Sequence, residues 1–161
     1  MSKLEDGSSR YLAEEIEALP WLGDGDDLMR ILHVDEQMRQ VVFIQRFARN
    51  TTHMCHTHHC TAFAYTLSGC WAYDGEPFPT GTVAYEPFGS RHTPMTRNDN
   101  VAEVLVMLTA AHDSDRMLEL EVPEGGRIEL DLPAFKRLSM MKSNDEWSAF
   151  AADLVARMTP A

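Results

Sequence analysis

Along most of this chain, apolar and polar residues alternate in short runs, and each run ends at a cluster of turn formers. Alternation with a period of two is the signature of a strand with one face buried. It predicts strands over Leu28–His33, Val41–Phe47, Ala62–Leu67, Trp71–Asp74, Thr82–Glu86, Glu103–Thr109 and Arg127–Leu132. The separators carry turn chemistry: Asp35-Glu36, Arg49-Asn50, Ser68-Gly69, Gly75-Glu76-Pro77, Pro79-Thr80-Gly81, Asn98-Asp99-Asn100 and Pro123-Glu124-Gly125-Gly126. Many short strands at near-regular spacing point to an all-β sandwich or small barrel.

Two segments break the alternation. Leu12, Ile16 and Leu19 share one side of a short helix over Tyr11–Leu19 that Pro20 ends. Near the other end, Trp147, Phe150, Ala151, Leu154, Val155 and Met158 recur at helical spacing. Ser143-x-x-Glu146 is a candidate capping box in front of them. The expected organisation is one domain over residues 1–161. It has an N-terminal extension over 1–19, a barrel over 20–135 and a C-terminal helix over 143–158 that covers the barrel or packs on a partner subunit.

Composition narrows the picture. A chain of 161 residues, 44% hydrophobic and 24% charged, reads as a soluble globular domain with room for a sizeable core. The 25 acidic against 14 basic residues give a net charge of −11, which opposes partners that need a basic face, namely nucleic acid and anionic membranes. No apolar run approaches the length of a membrane span, and the first ten residues lack the apolar stretch of a signal peptide. The expected location is therefore cytoplasmic. Cys55, Cys60 and Cys70 are an odd number, which fits reduced thiols better than a disulfide framework.

The chemistry concentrates in one region. His56 and His58 form an H-x-H pair, and residues two apart on a strand project from the same face. His92 follows 34 residues after His58 and closes Pro87-Phe88-Gly89-Ser90-Arg91-His92, whose proline and glycine mark a turn that can aim a third imidazole from a neighbouring strand. Imidazole is the commonest metal ligand and suits iron, zinc, copper and nickel. Cys55 and Cys60 flank the pair and raise the alternative of a His/Cys zinc site, but adjacent Cys55 and His56 would point to opposite faces of a strand. By the same alternation His59 faces away from His58, while His53 fits a pocket lining and a loop equally well. His33 and His112 carry no assigned role. Phe63, Tyr65, Trp71 and Tyr85 read first as barrel core and second as an aromatic pocket lining. Arg91 reads as a surface ion pair, with contact to a substrate anion or Glu86 as the alternative.

The order of these pieces resembles the cupin superfamily, with a first motif at 56–69 and a second at 81–92. A looser strand pattern extends the likeness over roughly residues 20–135. Within the cupins, His56–Gly69 and Tyr85–Thr93 are similar to the group of 2,4′-dihydroxyacetophenone dioxygenase, acetylacetone-cleaving dioxygenase and anti-sigma-factor cupin domains. The resemblance implies a jelly-roll β-barrel of two antiparallel sheets that assembles as a homodimer or homotetramer. It implies a metal held by His56, His58 and His92, with Fe(II) first and Zn, Ni, Mn or Cu as alternatives. The general cupin pattern also has a glutamate four or five residues after the second histidine, where this chain has Ala62 and Phe63. That departure favours a three-histidine set, which leaves the full +2 charge on the ion and so favours an anionic, bidentate ligand such as an enolate. Glu86, six residues before His92, matches an acidic residue of the dioxygenases and is the candidate catalytic proton carrier, against an exposed strand-end glutamate. The implied activity is an iron(II) dioxygenase that cleaves a C–C bond next to a carbonyl in a small β-diketone or hydroxyketone, with dioxygen as co-substrate. The alternatives are a non-catalytic, sensor-like metal-binding cupin and another metal-dependent cupin enzyme such as an isomerase.

Overall fold

The computed structural model describes residues 2, 3, 5, 6, 8–25, 27–97, 99, 101–111, 113–123 and 125–160, so His112 lies outside the described residues. The chain opens with the two-residue strands β1 (Ser2–Lys3) and β2 (Ser9–Arg10), helix α1 (Ala13–Glu17) and strand β3 (Leu22–Asp24). Strands β4 (Asp27–Asp35), β5 (Gln40–Phe47), β6 (His56–His58), β7 (Cys60–Ser68) and β8 (Cys70–Tyr73) follow. Then come β9 (Glu76–Pro79), β10 (Val83–Glu86), β11 (Arg91–His92), β12 (Ala102–Ala110), β13 (Arg116–Val122) and β14 (Gly126–Asp131). Helix α2 (Leu132–Met140), a 3-10 turn over Asn144–Glu146 and helix α3 (Trp147–Ala156) close the chain.

Two antiparallel sheets form the barrel. One has six strands in the order β10-β7-β12-β5-β4-β3, the other four in the order β11-β6-β13-β14. The expected all-β fold of two antiparallel sheets with a C-terminal helix is observed. The Ser68-Gly69 turn after β7 has a steric basis. Gly69 has φ +75° and sits so close to Val101 that a Cβ would lie 2.4 Å from its carbonyl oxygen, so only glycine fits.

Helices α2 and α3 cover one end of the barrel. Val41, Phe43, Leu108, Met117 and Leu130 pack there with Phe135 and Leu138 of α2 and Phe150 and Leu154 of α3. The Phe43 and Phe135 rings stack at 5.7 Å. Asp131 starts α2 by accepting the Ala134 N–H at 2.7 Å, with Pro133 in the first turn.

Several elements differ from the sequence reading. The alternation marks no element over residues 116–122 or 132–140, which form β13 and α2. Met117 and Leu118 are both buried because a bulge shifts the register between Arg116 and Leu118, which breaks the alternation that marks a strand. Leu132 belongs to α2 and not to the preceding strand. The first helix is confined to Ala13–Glu17. The Ser143 capping box does not form: Glu146 accepts the Lys142 N–H at 2.8 Å instead, and Ser143 makes no side-chain cap.

The aromatic residues also sort differently. Trp71 is buried, but Phe63, Tyr65 and Tyr85 stand on the outer face, with the Phe63 and Tyr85 rings 5.0 Å apart. On β7 the inward positions are Cys60, Ala62, Ala64 and Thr66, so strand alternation forces their larger neighbours outward.

Candidate metal centre

Strand β6 lies between β11 and β13 and pairs His56 with both His92 and Leu120, and His58 with Leu118. That register, with the two-residue spacing of His56 and His58, puts the three imidazoles on one inner face. The Pro87–Ser90 turn fixes the third. The His58 N–H donates to the Ser90 carbonyl at 2.9 Å, and the Gly89 N–H donates to the His58 carbonyl at 2.8 Å. Gly89 supplies the positive φ, +83°, on which the turn depends.

One ligand nitrogen from each of His56, His58 and His92 lies within 4.8 Å of the other two, and no other group of three or more such donors converges among the described residues. The Nε2 atoms of His56 and His58 are 3.1 Å apart. Two nitrogens bound at about 2.0–2.1 Å to one ion would stand about 2.9–3.4 Å apart. His56 Nδ1 donates to the Met54 carbonyl at 3.3 Å, which leaves Nε2 as the free lone pair. Burial pushes the pKa of His58 and of His92 down to about 3, with neighbouring histidines adding to the effect, and lowers that of His56 as well. Three neutral imidazoles with convergent lone pairs suit a divalent cation.

Glu86, at the inner end of β10, is buried against two of these rings. Its Oε2 lies 3.3 Å from His58 Nε2 and its Oε1 3.4 Å from His92 Nε2. Oε1 has no hydrogen-bond partner, as expected of a carboxylate facing an ion or an ion-bound ligand. Burial raises the pKa of Glu86 to about 7, opposed by a hydrogen bond from Tyr73. The Tyr73 ring stacks on His92 at 4.4 Å and 11°. Tyr73 was not singled out in the sequence, although its inward register beside the turn at Asp74-Gly75 is the signal that could have found it.

The histidines open onto a cavity of about 420 Å³. Phe47, Met54, Trp71, Val104, Val106 and Leu120 give it apolar walls. That size and lining match small-molecule sites generally. His53 is on a loop and also lines this cavity, with Nδ1 2.7 Å from Asp27 Oδ2.

The remaining sequence candidates lie elsewhere. His59 faces Glu119, its Nε2 3.6 Å from Oε2. Arg91 makes a two-pronged ion pair with Glu121, both contacts at 2.7 Å. His33 meets the Tyr11 hydroxyl at 2.7 Å. Cys60 is wholly buried with its thiol pKa pushed up to about 12, and neither Cys55 nor Cys60 joins the donor cluster, which removes the His/Cys zinc alternative.

Two sheets of this topology, enclosing three inward histidines on β6 and β11, define a cupin, or double-stranded β-helix, barrel. The chain belongs to the family described as the ChrR cupin-like domain, whose model matches residues 10–112. It is similar to a cupin-fold protein of unknown function from Ralstonia eutropha at 28% identity and a TM-score of 0.63, covering 76% of this chain and 78% of that one. It is similar in fold to an acetylacetone dioxygenase from Acinetobacter johnsonii at 11% identity and a TM-score of 0.66, covering 87% of this chain and 97% of that one. The polyketide cyclase RemF from Streptomyces resistomycificus matches at 18% identity and a TM-score of 0.53, covering 65% and 81%. No curated protein sequence matches the chain. Among the described residues, no helix is long and apolar enough to cross a membrane.

Proposed function

We propose that this protein is a mononuclear iron(II) dioxygenase that cleaves the C–C bond next to the carbonyl of a small β-diketone or hydroxyketone. The observation that carries this reading is the set of three neutral imidazoles, with a buried carboxylate beside them, opening onto an apolar cavity. When bound, the metal would supply Lewis acidity toward the substrate oxygens and a redox partner for dioxygen.

The protein's own residues do the rest. His56, His58 and His92 hold the ion. Met54 and the Pro87–Ser90 turn fix two of the imidazoles. Phe47, Trp71 and Val104 exclude bulk water, which strengthens every charge interaction inside. Glu86, with a pKa near 7, is placed to hold a proton beside the reacting oxygens and to return it to the product. The free thiols of Cys55, Cys60 and Cys70 fit a reducing cytoplasm. The exposed outer residues Phe63, Tyr65, Val83 and Tyr85 favour a homodimer or homotetramer over a lone chain.

The experiment is metal analysis of freshly purified protein, followed by oxygen-electrode assays with β-diketones and α-hydroxyketones. The iron(II) form consumes dioxygen and the zinc form does not, because zinc has no accessible redox change. Tightly held zinc with no dioxygen uptake in the iron form would replace this reading with a non-catalytic metal-binding cupin.

A further inference from the structure

The cavity contains a second polar constellation that belongs neither to the metal ligands nor to Glu86. His53, from the loop before β6, donates Nδ1–H to Asp27 Oδ2 at 2.7 Å. Asp27 stands at the first position of β4, and its other oxygen accepts from Gln45 Nε2 at 2.5 Å. The carboxylate is thereby held from both sides. The His53 side chain is only 4% exposed, and the Phe47 ring lies 4.6 Å from it. The backbone is pinned as well, since the His53 N–H donates to the Pro94 carbonyl at 2.9 Å.

His53 Nε2 is buried and has no hydrogen-bond partner. Buried polar atoms are nearly always partnered, so one left open on the wall of a cavity points to an occupant that supplies the partner. The bond to Asp27 selects the tautomer with the proton on Nδ1, which makes Nε2 an acceptor. Asp27, Gln45 and His53 line the same cavity as the three-histidine cluster. A carboxylate-anchored imidazole with a free Nε2 is the arrangement that lets histidine take a proton and stabilises the resulting imidazolium.

We propose that the Asp27–His53 dyad is the general base of this cavity, taking the proton from the carbon next to the carbonyl of an α-hydroxyketone or β-diketone whose oxygens sit at the three-histidine cluster. The proposal rests on the ketone reading above. The substrate C–H bond breaks and an N–H bond forms at His53 Nε2. The electron pair stays on the substrate as an enolate, and the new positive charge on the ring faces the Asp27 carboxylate. No oxidant takes part in this step. It divides the proton work, with His53 on the carbon and Glu86 on the metal-facing oxygens.

The step can be watched without oxygen chemistry. Zinc-loaded protein is incubated with 2-hydroxyacetophenone in D₂O, and loss of the methylene signal is followed by proton NMR. The parent accelerates exchange above the rate with zinc in buffer alone. His53→Gln lowers the acceleration by about 100-fold or more, in the range for loss of a general base. Asp27→Asn gives a smaller loss, because the imidazole remains but its tautomer is no longer held. Zinc content and circular dichroism on the same samples show that the cluster and the fold persist. If His53→Gln does not fold, Asp27→Asn decides the matter in the same assay. Parental exchange in both variants overturns the proposal, as does exchange lost only in Glu86→Gln, or a parent that does not accelerate exchange. Dioxygen uptake by the iron form is scored separately. Uptake together with exchange that ignores His53 removes the dyad and leaves the dioxygenase reading intact. Exchange that depends on His53 without uptake supports the dyad and removes the oxygen chemistry.

Discussion

The two faces of strands β7 and β10 carry opposite kinds of side chain. Inward stand Cys60, Ala62, Ala64, Thr66, Ala84 and Glu86, which are small or polar. Outward stand Phe63, Tyr65, Leu67, Val83 and Tyr85, which are large and mostly apolar. Buried positions more commonly carry the larger apolar residues. Here the inner positions face packed side chains and, at Ala64 and Glu86, the cavity, while bulk is displaced to the surface. The cluster under helices α2 and α3 obeys the ordinary rule, with Phe135, Phe150 and Leu138 almost wholly buried. The inner face of β7 and β10 reaches the cavity through Ala64 and Glu86, and the outer face does not.

Substitutions on the inner surface should therefore act on chemistry, and those on the outer face should not. The largest effect is expected for His56→Ala/His58→Ala, which should abolish metal binding while the β-sheet dichroism persists; metal retained as tightly as in the parent would show the ion sits elsewhere. Next, Glu86→Gln should keep its metal and lose about 10²–10⁴-fold in turnover. Its outward neighbour Tyr85→Ser should turn over like the parent. Iron-loaded Glu86→Gln with parental kcat and KM would remove Glu86 from the site.

Ala64→Phe places bulk into the cavity. It should cost about 1–3 kcal/mol in urea unfolding, as overpacking does, and weaken binding of a diketone enolate. A variant of parental stability with unchanged binding would mean that the space near Ala64 is not where substrate sits. The smallest effect is expected for Phe63→Ser/Tyr65→Ser, within about 0.5 kcal/mol for the isolated chain, as usual for surface positions. Sedimentation of that variant should nevertheless show a shift toward monomer. An unchanged sedimentation profile would remove this face from any interface between copies.

Why some of this was readable in the chain and some was not follows from range. The alternation in Phe63-Ala64-Tyr65-Thr66 announces a strand, and the two-residue spacing of His56 and His58 announces a shared face, because both depend only on neighbours. Alternation does not say which face is inside. The general rule that large apolar residues are buried does not hold for Phe63, Tyr65 and Tyr85, since the register of β7 and β10 turns Ala62, Ala64 and Ala84 inward instead. Helix α2 was concealed because Leu130-Asp131-Leu132 continues the β14 pattern, although Asp131 before Pro133, with Leu132, Phe135 and Leu138 at three-residue steps, is a legible start. Glu86 was a candidate by position alone, and its burial between two imidazoles is a product of the β10–β7 register. Asp27 and His53 are 26 residues apart with no motif to join them, and only the closure of the barrel makes them partners.

The turn that ties His58 to Gly89 and Ser90 also provides a gauge of local stability. These amides bond between strand β6, which carries His58, and the turn that leads into β11, which carries His92. The protection of the His58 and Gly89 amides against hydrogen–deuterium exchange therefore reports the free energy of opening this contact. It can be read in the bare protein, before any ion or substrate has been chosen.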